Sequence, residues 1–435
     1  MRFPSILAFA SCLVCAGGTA YGTPVPRTGD YLAARFAAEH HDLAKAADMF
    51  GRSLAADPSN PQLLASTFFF SAAAGRIDTS AKLAARLIDA SKDERAAHLT
   101  LGVVALNRRD YRLARAEVAK SDSDKPASLT VLLLDAWAAA GAGDKNAVAE
   151  DIKAVRKTDG AEVLADFNEA LLSEYLGDSA KAAQLYDKTL HEAGPTPRSA
   201  DALGRLLERS GKIKEADDLY THLKGIGAFR PLAEAGLARI ALEKVPAPMV
   251  NTPQEGAAEA LFGIAASLDD DVNADVSILY LRLVLYLRPD FDLAKFLLAD
   301  RFEALERYDD AIAIYDAIGR ESLYAREAAI QRADCKARQG DDETALKEMR
   351  MLTETYPSNV EVWTAYGDLL RDAKKNGEAV AAYGRALALS GEPSKKDWSL
   401  FFARAVSEQE GGSWDAAEAD LRKALALNPD QPQVL

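Results

Sequence analysis

The sequence predicts an all-α chain: a solenoid of antiparallel helix pairs, about eleven of them, arranged in two blocks. Two observations predict it. Small and apolar residues recur at fixed places in a 34-residue period, and glycine and proline punctuate that period where helices must end. Composition agrees. Of 435 residues, 49 % are hydrophobic, 8 % are aromatic, and alanine with glycine make up about a quarter. That is folded, helix-forming material, not the polar low-hydrophobicity mix of a disordered chain.

The period shows first in the string from Asp42 to Leu54, closed by Asp57-Pro58. It returns at Tyr308-Asp309-Asp310-Ala311 with Tyr315, at Glu378-Ala379 with Tyr383, and at Trp414-Asp415-Ala416-Ala417 with Asn428-Pro429. Frames of 34 residues start at 27, 61, 95, 129, 163 and 197, then at 258, 292, 326 and 360, with a last one at 398 after a four-residue insertion. Position 8 of the frame is Ala or Gly in ten of eleven cases, Phe68 being the departure. Position 20 is Ala or Ser except at Val148. Two helices approach closely only where neither presents a large side chain, so these columns mark the contact within each pair. Pro58, Pro289, Pro357 and Pro429 fall at position 32, where proline ends the second helix. Gly75, Gly143, Gly177, Gly211, Gly340 and Gly412 fall at position 15, where the chain turns from one helix to the next.

These strings resemble the tetratricopeptide repeat. The resemblance implies helix A followed by helix B in each repeat, stacked into a right-handed superhelix, with helix A lining a concave face. It also implies protein-binding work without catalysis.

At the N-terminus, residues 1–22 read as a signal peptide: Arg2, an apolar run from Ile6 to Ala16, and small residues at Gly18-Thr19-Ala20 and Ala20-Tyr21-Gly22. An uncleaved anchor or a lipoprotein signal is the alternative. Cys12 and Cys15 lie inside the apolar run, so they read as part of it rather than as a metal or redox pair. Export points to the bacterial periplasm. The six frames of 27–230 form the first block. Residues 231–257 read as a single helix plus a proline-rich joint, because Pro246, Pro248 and Pro253 cannot continue a helix. That joint reads as a kink between blocks, or alternatively as a lid loop folded over the concave groove. Four frames in 258–391 form the second block, and 398–431 is a further repeat. Pro432 to Leu435 open a twelfth frame, so the chain reads as a fragment.

A net charge of −14 argues against nucleic acid and anionic lipid as partners. Any membrane contact is expected only through the N-terminal signal. No nucleophile motif, phosphate loop, dinucleotide fingerprint or zinc motif is present, so no enzyme activity, cofactor or metal is expected. His40-His41 reads as a solvated pair and Cys335 as a buried structural thiol. Asp269-Asp270-Asp271-Val272-Asn273 mimics a calcium loop, but Ala274 and Tyr280 replace the glycine and glutamate that calcium geometry needs. A helix-capping turn is the plainer reading.

By the resemblance, positions 5, 9 and 12 of helix A face the groove. In the first block they include Phe69, Leu99, Val103, Leu133, Trp137, Phe167 and Leu171. One reading is a hydrophobic trough for a partner helix or extended peptide, with Trp137 as anchor. The other is inter-repeat packing, or burial against the N-terminal segment. In the second block position 9 reads Asp300, Asp334 and Asp368. This column suits a basic partner segment, or is a solvated face paired with arginines such as Arg301 and Arg338. The functional expectation is a non-catalytic scaffold or adaptor of the cell envelope that binds protein or peptide partners. The alternative is the repeat arm of a larger enzyme.

Overall fold

The computed structural model describes residues 28–429 apart from 91–93, 123–127, 193, 195, 227–228 and 269. The signal peptide, Cys12, Cys15, Asp269 and residues 432–435 lie outside the described residues. The described residues form twenty-three α-helices and no strand. Six pairs build the first block: α1 (Thr28–Glu39) with α2 (Leu43–Ala56), α3 (Pro61–Ala73) with α4 (Ile77–Ala90), α5 (Arg95–Asn107) with α6 (Tyr111–Lys120), α7 (Leu129–Ala142) with α8 (Lys145–Val155), α9 (Glu162–Tyr175) with α10 (Ser179–Glu192), and α11 (Pro197–Arg209) with α12 (Ile213–Lys224). An unpaired α13 (Arg230–Ala241) packs on α12. Five pairs follow: α14 (Pro253–Ala266) with α15 (Asp270–Leu287), α16 (Asp292–Ala304) with α17 (Tyr308–Asp316), α18 (Ala325–Arg338) with α19 (Asp342–Thr355), α20 (Val360–Asp372) with α21 (Asn376–Ser390), and α22 (Trp398–Glu410) with α23 (Trp414–Leu427). Helix A starts within one residue of its frame's first position in every frame except the one at 258. There Thr252 caps the helix and Pro253 occupies its first turn, which sets the start five residues early.

A single device makes each A-to-B turn. Position 15 is left-handed in all frames but the one at 258, glycine or not: φ is 81° at Gly75 and 53° to 63° at His41, Arg109, Glu306 and Lys374. The next residue then closes helix A with a backbone bond five residues back, as Asp110 does to Ala105 at 2.9 Å. Where that residue is Asp, its side chain also caps helix B. Asp42, Asp110, Asp144, Asp178 and Asp341 each accept from a backbone N–H three residues on. A left-handed non-glycine residue costs about 1 kcal/mol, and this double use of one residue offsets it. Glu243, φ 52°, closes α13 in the same way. The chain thus builds a seventh helix A and then, instead of its helix B, runs out through 244–252.

The small-residue columns sit where the pairs touch. Gly204 and Gly236 press on opposite edges of the buried Tyr220 ring, leaving no room for a Cβ at either. The departure at Phe68 is matched by Ser80, whose Oγ donates to the Phe68 carbonyl at 3.0 Å.

The joint does more than kink the array. After the exposed Leu242 and Val245, the chain turns back on itself. Helix α14 lies along α7 and touches α9 and α5, while α15 meets α3, α4 and α5. The second block therefore begins inside the concave face of the first. A helix pair, not a lid loop, fills the groove. Two of its side chains donate to carbonyls in the last turns of first-block helices: Gln254 Nε2 to Leu106 O at 2.8 Å, beside the Arg109 N–H that also reaches it, and Arg282 Nε to Ala73 O at 3.1 Å. Tyr286 donates to Asp78 at 2.9 Å, and the Tyr280 and Thr130 hydroxyls lie 3.1 Å apart. One hydrophobic core then runs unbroken from Leu43 to Cys335, across both blocks. No described helix is long and apolar enough to cross a membrane.

Candidate partner-binding faces

The apolar column of the first block is covered. Leu133 and Trp137 are fully buried, Val103, Leu171 and Leu99 nearly so, and Phe69 and Phe167 are half-buried. These residues do not form the open trough that their sequence pattern allowed. Of the packing alternative, burial against other helices of the array is what the described residues show: the cover is α14 and α15, while residues 1–27 lie outside the described residues. Gly256 rests directly on the Trp137 indole, and Tyr175 meets that ring edge-on at 6.0 Å. The indole Nε1 finds no acceptor among the described residues.

The acidic column of the second block is accessible. The side chains of Asp300, Asp334 and Asp368 are 57 %, 32 % and 44 % exposed. Asp300 lies 3.7 Å from Arg301, whose Nε donates to Ser277 Oγ. Asp334 accepts from Arg338 Nε at 2.7 Å. Asp368 accepts from Tyr383 Oη at 2.7 Å and lies 3.3 Å from Arg371. The arginines named by the solvated-face alternative, Arg301 and Arg338, are therefore in place. Burial pushes the Asp368 carboxyl above its usual range; Tyr383 and Arg371 oppose the rise, and Asp372 and Asp334 add to it. Burial raises Glu303 too, with Asp334 and Asp300 adding to it, although Tyr315 donates to it at 2.5 Å. A cation brought to this face would lower the two raised carboxyls, Asp368 and Glu303.

Sequence reading overlooked a second pattern on helix A. The position-24 tyrosine donates to an acid on its own helix A: Tyr186 to Glu174 at 2.9 Å, Tyr220 to Glu208 at 2.7 Å, Tyr315 to Glu303, and Tyr383 to Asp368. Arginines of the next helix A then pair with two of these acids, Arg209 with Glu174 and Arg239 with Glu208. The recurrent Tyr–Glu spacing of twelve residues was the available signal. Cys335 is fully buried near Glu303, and its thiol is pushed up to about 12. His40 Nδ1 lies 2.9 Å from Phe36 O, and His41 lies 3.8 Å from Asp275. Among the described residues no three His, Cys, Asp or Glu side chains come together as metal ligands.

One carboxyl, Asp151, titrates near neutrality. Burial and the adjacent Asp135 raise Asp151 to about 7, while Arg115 grips Asp135 through bonds of 2.8 and 3.0 Å. Glu150 raises Asp151 further, and Arg115 opposes the rise. The folded chain thus holds this proton more tightly than the unfolded chain, whose Asp titrates near 3.8. Stability from this group is complete below that value and is lost as pH climbs to about 7. Asp151→Asn is expected to match the parent at pH 4 and to exceed it by about 1–2 kcal/mol at pH 8, the full shift being discounted for partial exposure. Urea unfolding at the two pH values checks this; a gain of equal size at pH 4 would assign it to something other than the shared proton.

Residues 296–360 and 364–432 match the family described as tetratricopeptide repeat. Over these residues the chain carries tetratricopeptide repeats. Among solved structures, the chain is similar to yeast Tom70 at 12 % identity, over 94 % of this chain and 86 % of that one, with a TM-score of 0.36. It is similar to a tetratricopeptide repeat protein from Parabacteroides merdae ATCC 43184 at 17 % identity, over 63 % of this chain and 96 % of that one, with a TM-score of 0.33. It is also similar to YrrB, described as a TPR protein with an unusual peptide-binding site, at 14 % identity, over 41 % and 89 %, with a TM-score of 0.30.

Proposed function

We propose that this chain is a non-catalytic interaction scaffold that holds basic segments of partner proteins along the inner face of its second block. The observation that carries the reading is the half-open column Asp300, Asp334 and Asp368, three accessible carboxylates in register on successive helices A. The first-block face is taken up by α14 and α15, which leaves the second-block face as the accessible one. The N-terminal pattern of Arg2, an apolar run and small residues supports export, so the scaffold would work in the bacterial envelope.

A fluorescein-labelled peptide of alternating lysine and alanine is the probe for the binding face. Asp300→Lys, Asp334→Lys and Asp368→Lys together are expected to weaken its binding at least tenfold, and salt should weaken the parent's binding. Equal affinity in parent and triple variant would remove the acidic face as the site. For export, residues 1–30 fused to alkaline phosphatase should give active enzyme outside the cytoplasm, and an inactive fusion would end that half of the proposal.

A further inference from the structure

The first-block groove has the chemistry of a binding site and a resident occupant. We propose that α14 and α15 are an internal ligand that holds this groove shut, and that the groove opens to a partner helix of the same chemistry when the hairpin lifts on its tether. The inference concerns a different face from the acidic column and does not depend on it.

The occupant shows what the groove accepts. Helix α14 turns small residues to the site, with Gly256 on Trp137 and Gly263 beside Leu164. Its polar anchors, Gln254 and Arg282, bind backbone carbonyls at the ends of α5 and α3. Any helix with a Gly/Ala face and a suitably spaced Gln or Arg can make such bonds, because they read helix ends and not side chains.

The fit is incomplete at its centre. Trp137 is fully buried, yet its Nε1–H meets no acceptor among the described residues. A buried donor left unpaired weakens the closed state relative to one in which it is satisfied. Helix α14 leaves this defect in place, because Gly256 sits against the six-membered edge of the indole and brings no acceptor to Nε1. The tether is suited to release. Its first part is loosely held: Leu242 and Val245 are exposed, Val245 by 75 %, and Ala247 O is met only by a long bond of 3.5 Å from Arg205, whereas Pro246, Met249 and Val250 are buried.

The test uses the intact chain. By native-state hydrogen exchange, amides of α14 and α15 should exchange at least tenfold faster than those of α7 and α9, because the hairpin opens without global unfolding. Equal protection overturns the proposal. The second measurement uses a labelled synthetic peptide of residues 253–287 with the parent and with Gly256→Trp, which cannot seat on Trp137. The variant should capture the peptide at least tenfold more tightly than the parent, and adding Leu133→Asp should abolish capture. Gly256→Trp that keeps its helicity but gains no capture overturns the proposal. So does loss of helicity across both blocks, which would make the hairpin an integral core element. Binding of the lysine–alanine peptide to the second block should be unchanged by Gly256→Trp, so failure of one proposal is distinguishable from failure of the other.

Discussion

Trp137→Ala is expected to lower stability by about 3–5 kcal/mol, as for a large buried aromatic that leaves a cavity. The reason is its place under α14: it is 0 % exposed, Gly256 rests on its ring, and Tyr175 packs edge-on. Removing the indole strips the contact that joins the two blocks and leaves a cavity that neither α7 nor α14 can close without moving the helix pair. Trp137→Phe separates packing from polarity. It keeps most of the ring and deletes the unpaired N–H, so it should cost less than about 1 kcal/mol. Urea unfolding followed by far-UV circular dichroism measures both. If Trp137→Ala costs under about 0.5 kcal/mol, the residue is not sandwiched between the blocks, and the surface-anchor reading of its sequence position regains ground.

That contrast shows how much the sequence carried. The repeat register was legible to within a residue because its determinants are local. A left-handed residue at position 15, an Asp that closes one helix and caps the next, and a small residue at position 8 each act over a few residues. The frame at 258 was misplaced for a local reason too, since Thr252-Pro253 is a helix start that outranked the repeat count. The site was less legible. The apolarity of Leu133, Trp137 and Leu171 says that something covers them, but not what. The cover is Gly256 and its neighbours, far further along the chain, and only the chain reversal after Val245 brings them there. The acidic column fared better. Asp334 with Arg338 is a four-residue helical spacing, readable directly. The bond from Tyr383 to Asp368 depends on the packing of α20 against α21 and became evident only with the fold.

Glu259→Ala is expected to destabilise the chain by about 3–5 kcal/mol, because it breaks a buried ionic contact from one side. Glu259 is on α14, and its side chain is 1 % exposed. It accepts from Arg198 Nε of α11 at 3.0 Å and from Arg288 Nη1 at 3.0 Å, so a single carboxylate holds two guanidiniums. Both guanidiniums also lie 4.9 Å from the centre of the Phe291 ring. The ring face attracts each cation but cannot separate two of them. With the carboxylate gone, two largely buried positive charges face each other across the contact between blocks, and the arginines must leave for solvent and pull α14 off α11. Glu259→Gln keeps the shape and some hydrogen bonding, so it should cost less than the alanine. A paired change, Arg198→Leu with Glu259→Leu, should recover part of the loss, since it removes the unpaired charge along with its partner. Recovery measured by urea unfolding would identify charge desolvation as the source of the penalty. If the double variant is as unstable as Glu259→Ala, the penalty comes from lost packing at α14, and the contact is held by its apolar face and not by its ions.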